Sequence, residues 1–596
     1  MRYIISLVLL LGFEAGLAQE QPNILFIVTD DQGYGDLSLH GNPVLETPNL
    51  DRLGSQSVRF ERFHVSPVCA TTRASLLTGR NHVETGVWGV HQARDYMRLD
   101  ETTVAEVLRD GGYDTGMIGK WHNGRAGAWL PWNRGFNDAW VAELYRHRDT
   151  RIAHNGKLML TRGPADEVLT DIALDFIGRE RGERPFFLHL AYMTPHAPLV
   201  APEAWVQKYR DKGQSETAAA LNGMIGFLDL QIGRLLDGLE AAGLAENTLV
   251  VFLSDNGPQH KPPGLPPFTE EEIAIRNPGS MRGQKGNIWE NGHRVPLFMR
   301  WPGKFAPRQI QALADVTDIF PTVVQLSGVT LASDHKPLHG KSLAGLLNGE
   351  ASEWSAPRQL FKPYWTAFPR ENWNREGALD PARLVYEEQV NALYRGPHKL
   401  VYYREQGPKL FNLAEDPGEQ QDLAARHQEM AQEMAADLRG LYDEMRATGR
   451  AYWQPRFHIG HPGYDAQDKV GEVLAGSMIP FCSSVRDEGN VVTQSHSSKG
   501  WIAPGDAQSI LVDVVTPGKY EVVLEAGRFA AGTRTRLEVG HSSLDLELPE
   551  TTGEISVGKI DLAGGEQTLR LSLMAVAADG QDAIESMKMV TFRRDP

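Results

Sequence analysis

The stretch Asn23 to Thr29 (NILFIVT) carries five consecutive large apolar residues, and it constrains the fold more than any other feature of the chain. A strand with one solvated face alternates polar and apolar side chains. An unbroken apolar run fits a parallel strand buried on both faces. Phe186 to Met193 (FFLHLAYM) and Leu249 to Ser254 (LVVFLS) have the same character. Helical stretches lie between them. One begins at Thr47-Pro48, a capping residue followed by proline at the first helical position. A second spans Thr102 to Arg109, and a long one runs from about Ala218 to Ala242. Strands alternating with helices predict an α/β fold with a mostly parallel central sheet flanked by helices. In such sheets ligands bind beyond the carboxyl ends of the strands.

At 596 residues the chain is too long for one core. The α/β pattern is expected to fill residues 19–354. Residues 355–450 read as a smaller α+β subdomain, with strands at Leu384 to Tyr394 and Lys399 to Tyr403 and a closing amphipathic helix from about Gln420 to Arg446. Tyr452 to Tyr464 is rich in Pro, Gly and aromatics and reads as a linker. Over residues 465–596 short strands recur between turn signals, at Ser509 to Val515, Tyr520 to Glu525, Arg534 to Val539, Gln567 to Leu573 and Met587 to Phe592. This predicts an appended β-sandwich. Its Gly518 to Leu524 stretch looks like a strand opening of carbohydrate-binding sandwiches, and a packing role fits the pattern as well.

The N-terminus reads as a secretory signal over residues 1–18. Arg2 supplies the positive start, Ile4 to Phe13 the apolar run, and Gly16-Leu17-Ala18 the small residues for cleavage. Export, periplasmic or secreted, is therefore expected, and no later segment reads as a membrane span. The formal net charge of -16 argues against a nucleic-acid partner. There are only two cysteines, Cys69 and Cys482, which could pair or could be one reactive residue and one buried bystander.

Two strand ends carry candidate chemistry. The first run closes in Thr29-Asp30-Asp31-Gln32-Gly33 and the third in Ser254-Asp255-Asn256-Gly257. Asp30, Asp31, Asp255 and Asn256 offer hard oxygen ligands suited to calcium or magnesium, although the same residues are also ordinary turn formers. Cys69 precedes a helical segment that ends near Gly79. At that position backbone N–H groups and the helix dipole favour an anion. Arg73 follows one turn later on the same face. A nucleophile beside a fixed cation suits ester cleavage, while a buried Cys and a surface Arg would be the structural alternative.

Pro67 to Arg80 (PVCATTRASLLTGR) resembles the signature of the formylglycine-dependent sulfatases of the alkaline phosphatase superfamily, C-x-P-x-R followed by A-x-L-x-T-G. Further matches follow in order. Gly119-Lys120-Trp121-His122 resembles G-K-W-H, and Thr194-Pro195-His196-Ala197-Pro198 resembles P-H-x-P. Arg282-Gly283-Gln284-Lys285-Gly286 resembles R-G-x-K-G, and Leu413 to Glu419 resembles the C-terminal L-x-x-D-P-x-E. The resemblance covers about residues 22 to 445.

It implies a calcium site formed by Asp30, Asp31, Asp255, Asn256 and the modified Cys69. It also implies that a maturation enzyme converts Cys69 to formylglycine, whose hydrate is the nucleophile. Arg73 would fix that hydrate, and Lys120 and Lys285 would bind sulfate oxygens. His196 would protonate the leaving alkoxide, and His122 would take the proton that releases sulfate. The implied substrate is a sulfate ester, with a sulfated polysaccharide or oligosaccharide favoured by the export signal and the sandwich.

One departure stands out: the position two after Cys69 is Thr71, where the family has Pro or Ala. Two rival readings share these features. One is a phosphodiesterase or phosphonate monoester hydrolase of the same superfamily, and the other a non-catalytic glycan-binding protein. His82, His260, Trp129, Trp132 and Trp140 could line a sugar pocket or belong to surface and core.

Overall fold

The computed structural model describes residues 21–356, 358–364, 384–451, 453–464, 467–576 and 581–594; the expected signal segment lies outside them. Five parallel strands form the centre of a ten-stranded sheet: β1 (Asn23–Thr29), β2 (Asp114–Gly119), β3 (Asp138–Ala142), β4 (Phe186–Ala191) and β5 (Thr248–Ser254). Their spatial order is β5-β1-β4-β2-β3. Antiparallel strands extend both flanks, Leu297–Arg300 beside β5 and Arg151–His154 beside β3. Every residue of β1, β4 and β5 is buried, as their unbroken apolar runs require. Alternate residues feed two separate cores, Ile24, Phe26 and Val28 on one face and Leu25 and Ile27 on the other.

The helices form where the sequence places them, with shifted ends. Val104–Asp110 starts at the Thr103–Glu106 capping box rather than at Thr102. The long helix is Glu216–Ala241, capped by Ser215. Pro48–Ser55 has proline in its first turn, but Thr47 does not cap it: its Oγ1 donates to the Asp51 carboxylate and accepts from the Ser38 amide.

The next unit is a four-stranded antiparallel sheet, Gln359–Tyr364, Val390–Arg395, His398–Tyr403 and Pro408–Asn412. A helix, Gln428–Ala447, covers it with Ala431, Met434, Leu438, Tyr442 and Met445. That helix starts later than the expected Gln420. The Asp416 carboxylate accepts from the Gln420 and Gln421 amides and holds a turn there instead. The strand expected from Leu384 begins only at Val390, after a short 3-10 turn at Tyr386–Glu388.

Glu419 fastens this unit to the large one. It accepts from the Glu290 amide and pairs with Lys399, whose ammonium also meets Glu290. All three side chains are buried.

Two six-stranded sheets follow, packed face to face. Several of their strands carried no sequence signal, the longest being Ser542–Leu548 and Thr551–Leu562. Both leave one face largely in solvent, so neither shows an apolar run. The expected linker contributes a strand: Phe457–Ile459 pairs in parallel with Val512 to Val514. Nor does the module sit apart. Ala93, Tyr96, Ala126 and Trp129 of the large unit share one apolar core with Phe457, Leu474 and the sandwich interior. Trp129 is therefore core, edge-on to Tyr96. Trp132 packs against the main core, and Trp140 stacks on His154 at 3.6 Å.

Candidate active site

The strand ends gather the carboxylates. β1 and β5 are in register through Thr29 and Ser254, so Asp30 and Asp255 emerge side by side. The Asp31 amide donates to Asp255 Oδ1 at 3.2 Å, and Asn256 Nδ2 donates to Asp31 Oδ1 at 2.8 Å. Lys120 follows β2 and His196 follows β4, at the same edge.

Cys69 is the first residue of helix α1 (Cys69–Thr78), which Gly79 ends in the left-handed conformation. Val68 is extended, and Thr72 closes the preceding turn through the amide and carbonyl of Ser66. Thr71, the departure from the family pattern, donates to the Val68 carbonyl at 2.7 Å and is buried.

Every residue singled out for chemistry enters one cluster. Cys69 Sγ lies 3.2 Å from His122 Nδ1. Arg73 sends Nε and Nη2 to Asp255 Oδ2 at 3.0 and 2.7 Å, and Nη1 to the Lys120 carbonyl. Lys120 Nζ is 2.5 Å from Asp30 Oδ2, and Lys285 Nζ is 2.6 Å from Asp31 Oδ1. His196 Nε2 lies 3.8 Å from Asp31 Oδ2.

The cysteines do not pair. Cys69 is at the sheet edge and Cys482 is buried in the β module. His82 is also structural: it is buried and bonded to the carbonyls of Val87 and Pro363. His260 is half-buried, its amide held by the Gln284 side chain.

Burial and neighbouring charge set the protonation states. Burial pushes the Cys69 thiol up, against the pull of Lys120 and Lys285. An unmodified thiol here would be a poor nucleophile. Burial together with the Lys120 charge drives His122 well below its usual value, leaving a neutral imidazole. Burial also lowers His196, with Asp31 opposing. Burial would raise Asp30 and Asp31, but the nearby cations outweigh it and both end lowered. Asp255 is pushed up to about 7 by burial and the Asp30 charge, despite Arg73.

A cation fits this donor set. Asp30 Oδ1, Asp31 Oδ2 and Asn256 Oδ1 are buried without a hydrogen-bond partner. Orphaned acceptors of this kind are costly unless something positive meets them. Carboxylate and amide oxygens are the ligands that hard divalent cations select.

Two neighbours lacked any sequence signal. Asp95 Oδ2 lies 3.8 Å from His122 Nε2. The Tyr145 ring lies 4.7 Å from that of His196 and under the Lys120 ammonium. Both sit on irregular segments, where neither periodicity nor a motif marks them.

Comparison with known proteins agrees with this geometry. The sulfatase family model matches residues 22–329, and that of the N-sulphoglucosamine sulphohydrolase C-terminal region matches 284–447. Human arylsulfatase A is 31% identical over 475 residues, covering 70% of this chain and 86% of that protein. N-acetylgalactosamine-6-sulfatase of Canis lupus familiaris is 30% identical over 380 residues, covering 57% and 69%. Among solved structures, Ps i-CgsB in complex with k-i-k-neocarrahexaose has a TM-score of 0.59 at 24% identity, covering 71% of this chain and 92% of that one. PsFucS1 sulfatase from Pseudoalteromonas sp. has a TM-score of 0.57 at 23% identity, covering 72% and 91%. Together the matched family segments and the conjunction of cysteine, carboxylates, lysines and histidines at one sheet edge establish that this chain belongs to the sulfatase family of sulfuric ester hydrolases.

Proposed function

We propose that this chain removes sulfate from an ester on a carbohydrate, using Cys69 converted to formylglycine as nucleophile and calcium as metal. One observation carries the reading: Cys69 Sγ touches His122 while lying within 4.8 Å of ligand oxygens of Asp30 and Asp255. Asp30, Asp31, Asp255, Asn256 and the modified Cys69 would hold calcium. Calcium held there would supply positive charge to polarise the sulfate and acidify the nucleophile. Charge arithmetic favours it. With a cation bound, which would favour ionised Asp255, Asp30, Asp31 and Asp255 bring three negative charges, and Arg73, Lys120 and Lys285 bring three positive ones. A divalent cation tips the cluster to a net +2, which attracts a sulfate monoester.

Formylglycine supplies a hydrated aldehyde, with one hydroxyl to attack sulfur and a second to expel sulfate later. The remaining work falls to this chain's own side chains. Lys120 and Lys285 exchange part of their carboxylate pairing for sulfate oxygens. Arg73, fixed by Asp255, orients the residue at position 69. His122 is neutral and in contact with position 69, so it can accept a hydroxyl proton there. His196 must take up a proton before it can give one to the leaving alkoxide, and the incoming sulfate charge raises its affinity for that proton.

A carbohydrate ester is supported by the relative named N-acetylgalactosamine-6-sulfatase at 30% identity. The reading also includes export directed by residues 1–18 and a formylglycine-generating enzyme as maturation partner. No described helix is long and apolar enough to cross a membrane.

The test uses protein produced with a maturation enzyme. Mass spectrometry of the Cys69 peptide should give the aldehyde or its hydrate. Chelation should abolish turnover of sulfated glycans, and calcium should restore it. Full sulfatase activity with an intact thiol, or after exhaustive chelation, overturns the mechanism. Phosphodiester turnover far above sulfate turnover overturns the substrate class.

A further inference from the structure

A line of side chains leads from the Cys69 cluster to the β module and takes no part in the proposed chemistry. The His91 ring lies 5.8 Å from that of His122 and 6.2 Å from that of Tyr145. On its outer side His91 meets the His496 ring edge-on at 4.8 Å. His496 Nδ1 is 3.1 Å from Glu472 Oε1. Arg125 closes the group, with Nη2 2.7 Å from His91 Nδ1 and Nη1 3.3 Å from Glu472 Oε2. Both Glu472 and His496 belong to the chain beyond residue 447, where the sulfatase family matches stop.

Three observations show that this arrangement is built. First, His91, Gln92 and Ala93 have φ values of 55°, 55° and 61°, and none is glycine. A positive φ is strained for a residue with a side chain and persists only where the surroundings over-determine it. Here Ala93 is locked in the core shared with the β module, and the Gln92 side chain donates to the Thr493 carbonyl. Second, Glu472 is anchored from behind: its Oε2 is buried 3.3 Å from Arg125 Nη1, beside a cavity of about 20 Å³ that Trp121 and His122 also line, which leaves Oε1 facing His496. Third, the segment bearing Glu472 is clamped to the large unit, because the Leu474 amide donates to the Arg125 carbonyl at 2.8 Å.

We infer that the β module supplies one wall of the substrate site, in which Glu472 and His496, backed by His91, bind hydroxyls of the sugar next to the sulfated one. The inference rests on the carbohydrate reading above and deepens it. Glu472 Oε1, on the His496 side, can accept a hydroxyl beside its contact with His496, and its charge repels a second sulfate at that position. The exposed His496 ring adds its Nε2 as a hydrogen-bonding group for a pyranose ring, while His91, held through both nitrogens by Arg125 and Tyr145, supports it from behind. Arg125, paired with both Asp95 and Glu472, keeps the wall in register with His122.

The experiment compares H496A and E472Q with the parent, all as matured full-length enzyme. The kcat/KM is measured on a sulfated oligosaccharide and on the corresponding sulfated monosaccharide. His496 is exposed, so its removal leaves the core intact. Loss of one hydrogen bond to a charged or buried group predicts that the oligosaccharide-to-monosaccharide ratio falls about tenfold in each variant, mostly through KM. Calorimetry with the desulfated oligosaccharide should show weaker binding by about the same factor and does not depend on turnover. An unchanged ratio with unchanged oligosaccharide binding overturns the inference, as does an equal loss on both substrates. A parent enzyme inactive on every sulfated sugar would instead overturn the carbohydrate reading.

Discussion

Single side chains in this site are set by their surroundings more than by their type. His196 shows this. Its lowered affinity for a proton means that its worth as an acid depends on how badly the leaving group needs one. His196→Ala should therefore cost about 10²–10³ in kcat on alkyl sulfates and no more than about tenfold on a nitrophenyl sulfate. Equal losses in steady-state assays on both would remove it from that role. Asp166 makes the same point for stability. It is fully buried, accepts from Thr194 Oγ1 at 2.6 Å, and burial pushes it up to about 7 from 3.8. The folded state then binds more protons than the unfolded one between those values. Stability therefore falls as pH rises from about 4 to about 7 and stays low above. Asp166→Asn should raise the Tm at pH 8 and change it little at pH 5, as read by thermal melts. An equal shift at both pH values would show that Asp166 is ionised throughout.

At the scale of elements, the junctions after strands do the positioning. Gly257 follows Asn256, and a Cβ there would stand 1.8 Å from the Asn291 carbonyl oxygen. Gly257→Ala must displace either the strand end or the Glu290–His293 helix. Affinity for the proposed calcium ion should drop about tenfold or more, as calorimetry would show, with the rest of the fold retained. The buried strands were legible in the sequence because burial on both faces leaves an unbroken apolar run. Helix α1 was legible because Gly79 terminates it. Ser542–Leu548 and Thr551–Leu562 were not, since their solvated faces carry polar residues and their pairing is set by distant strands. Likewise Asp416 holds the Gln420 and Gln421 amides in a turn where the helix was expected to start, a side-chain-to-backbone choice that periodicity does not record.

Across the whole molecule, buried charge ties the units together. Lys399 is the cation between Glu290 and Glu419, and Glu419 is pushed up to about 7 by burial and Glu290 despite it. Lys399→Met leaves two buried carboxylates facing each other, at a cost of about 3–5 kcal/mol. The loss should grow with pH, since one carboxyl must then stay protonated in the folded state. Denaturant titrations at pH 6 and 8 would check this, and a pH-independent loss would argue against it. The sequence by itself determined the α/β class, the sheet edge that bears the chemistry, and each cluster residue from Asp30 to Lys285. Strand ends and a helix start encoded within a few residues mark Asp30, Asp31, Asp255, Asn256, Cys69 and Arg73, while Lys120, His122, His196 and Lys285 were reached through the motifs that resemble the family's. Only the tertiary structure decided that Asp95 and Tyr145 border the site, that Trp129 is core rather than a sugar platform, and that Glu472 and His496 reach the active-site rim. The last two placements follow from a core assembled between segments more than 300 residues apart, and no local pattern can encode a contact whose partner is that distant; Asp95 and Tyr145 lie nearer in sequence to His122 and His196 but on irregular segments without periodicity.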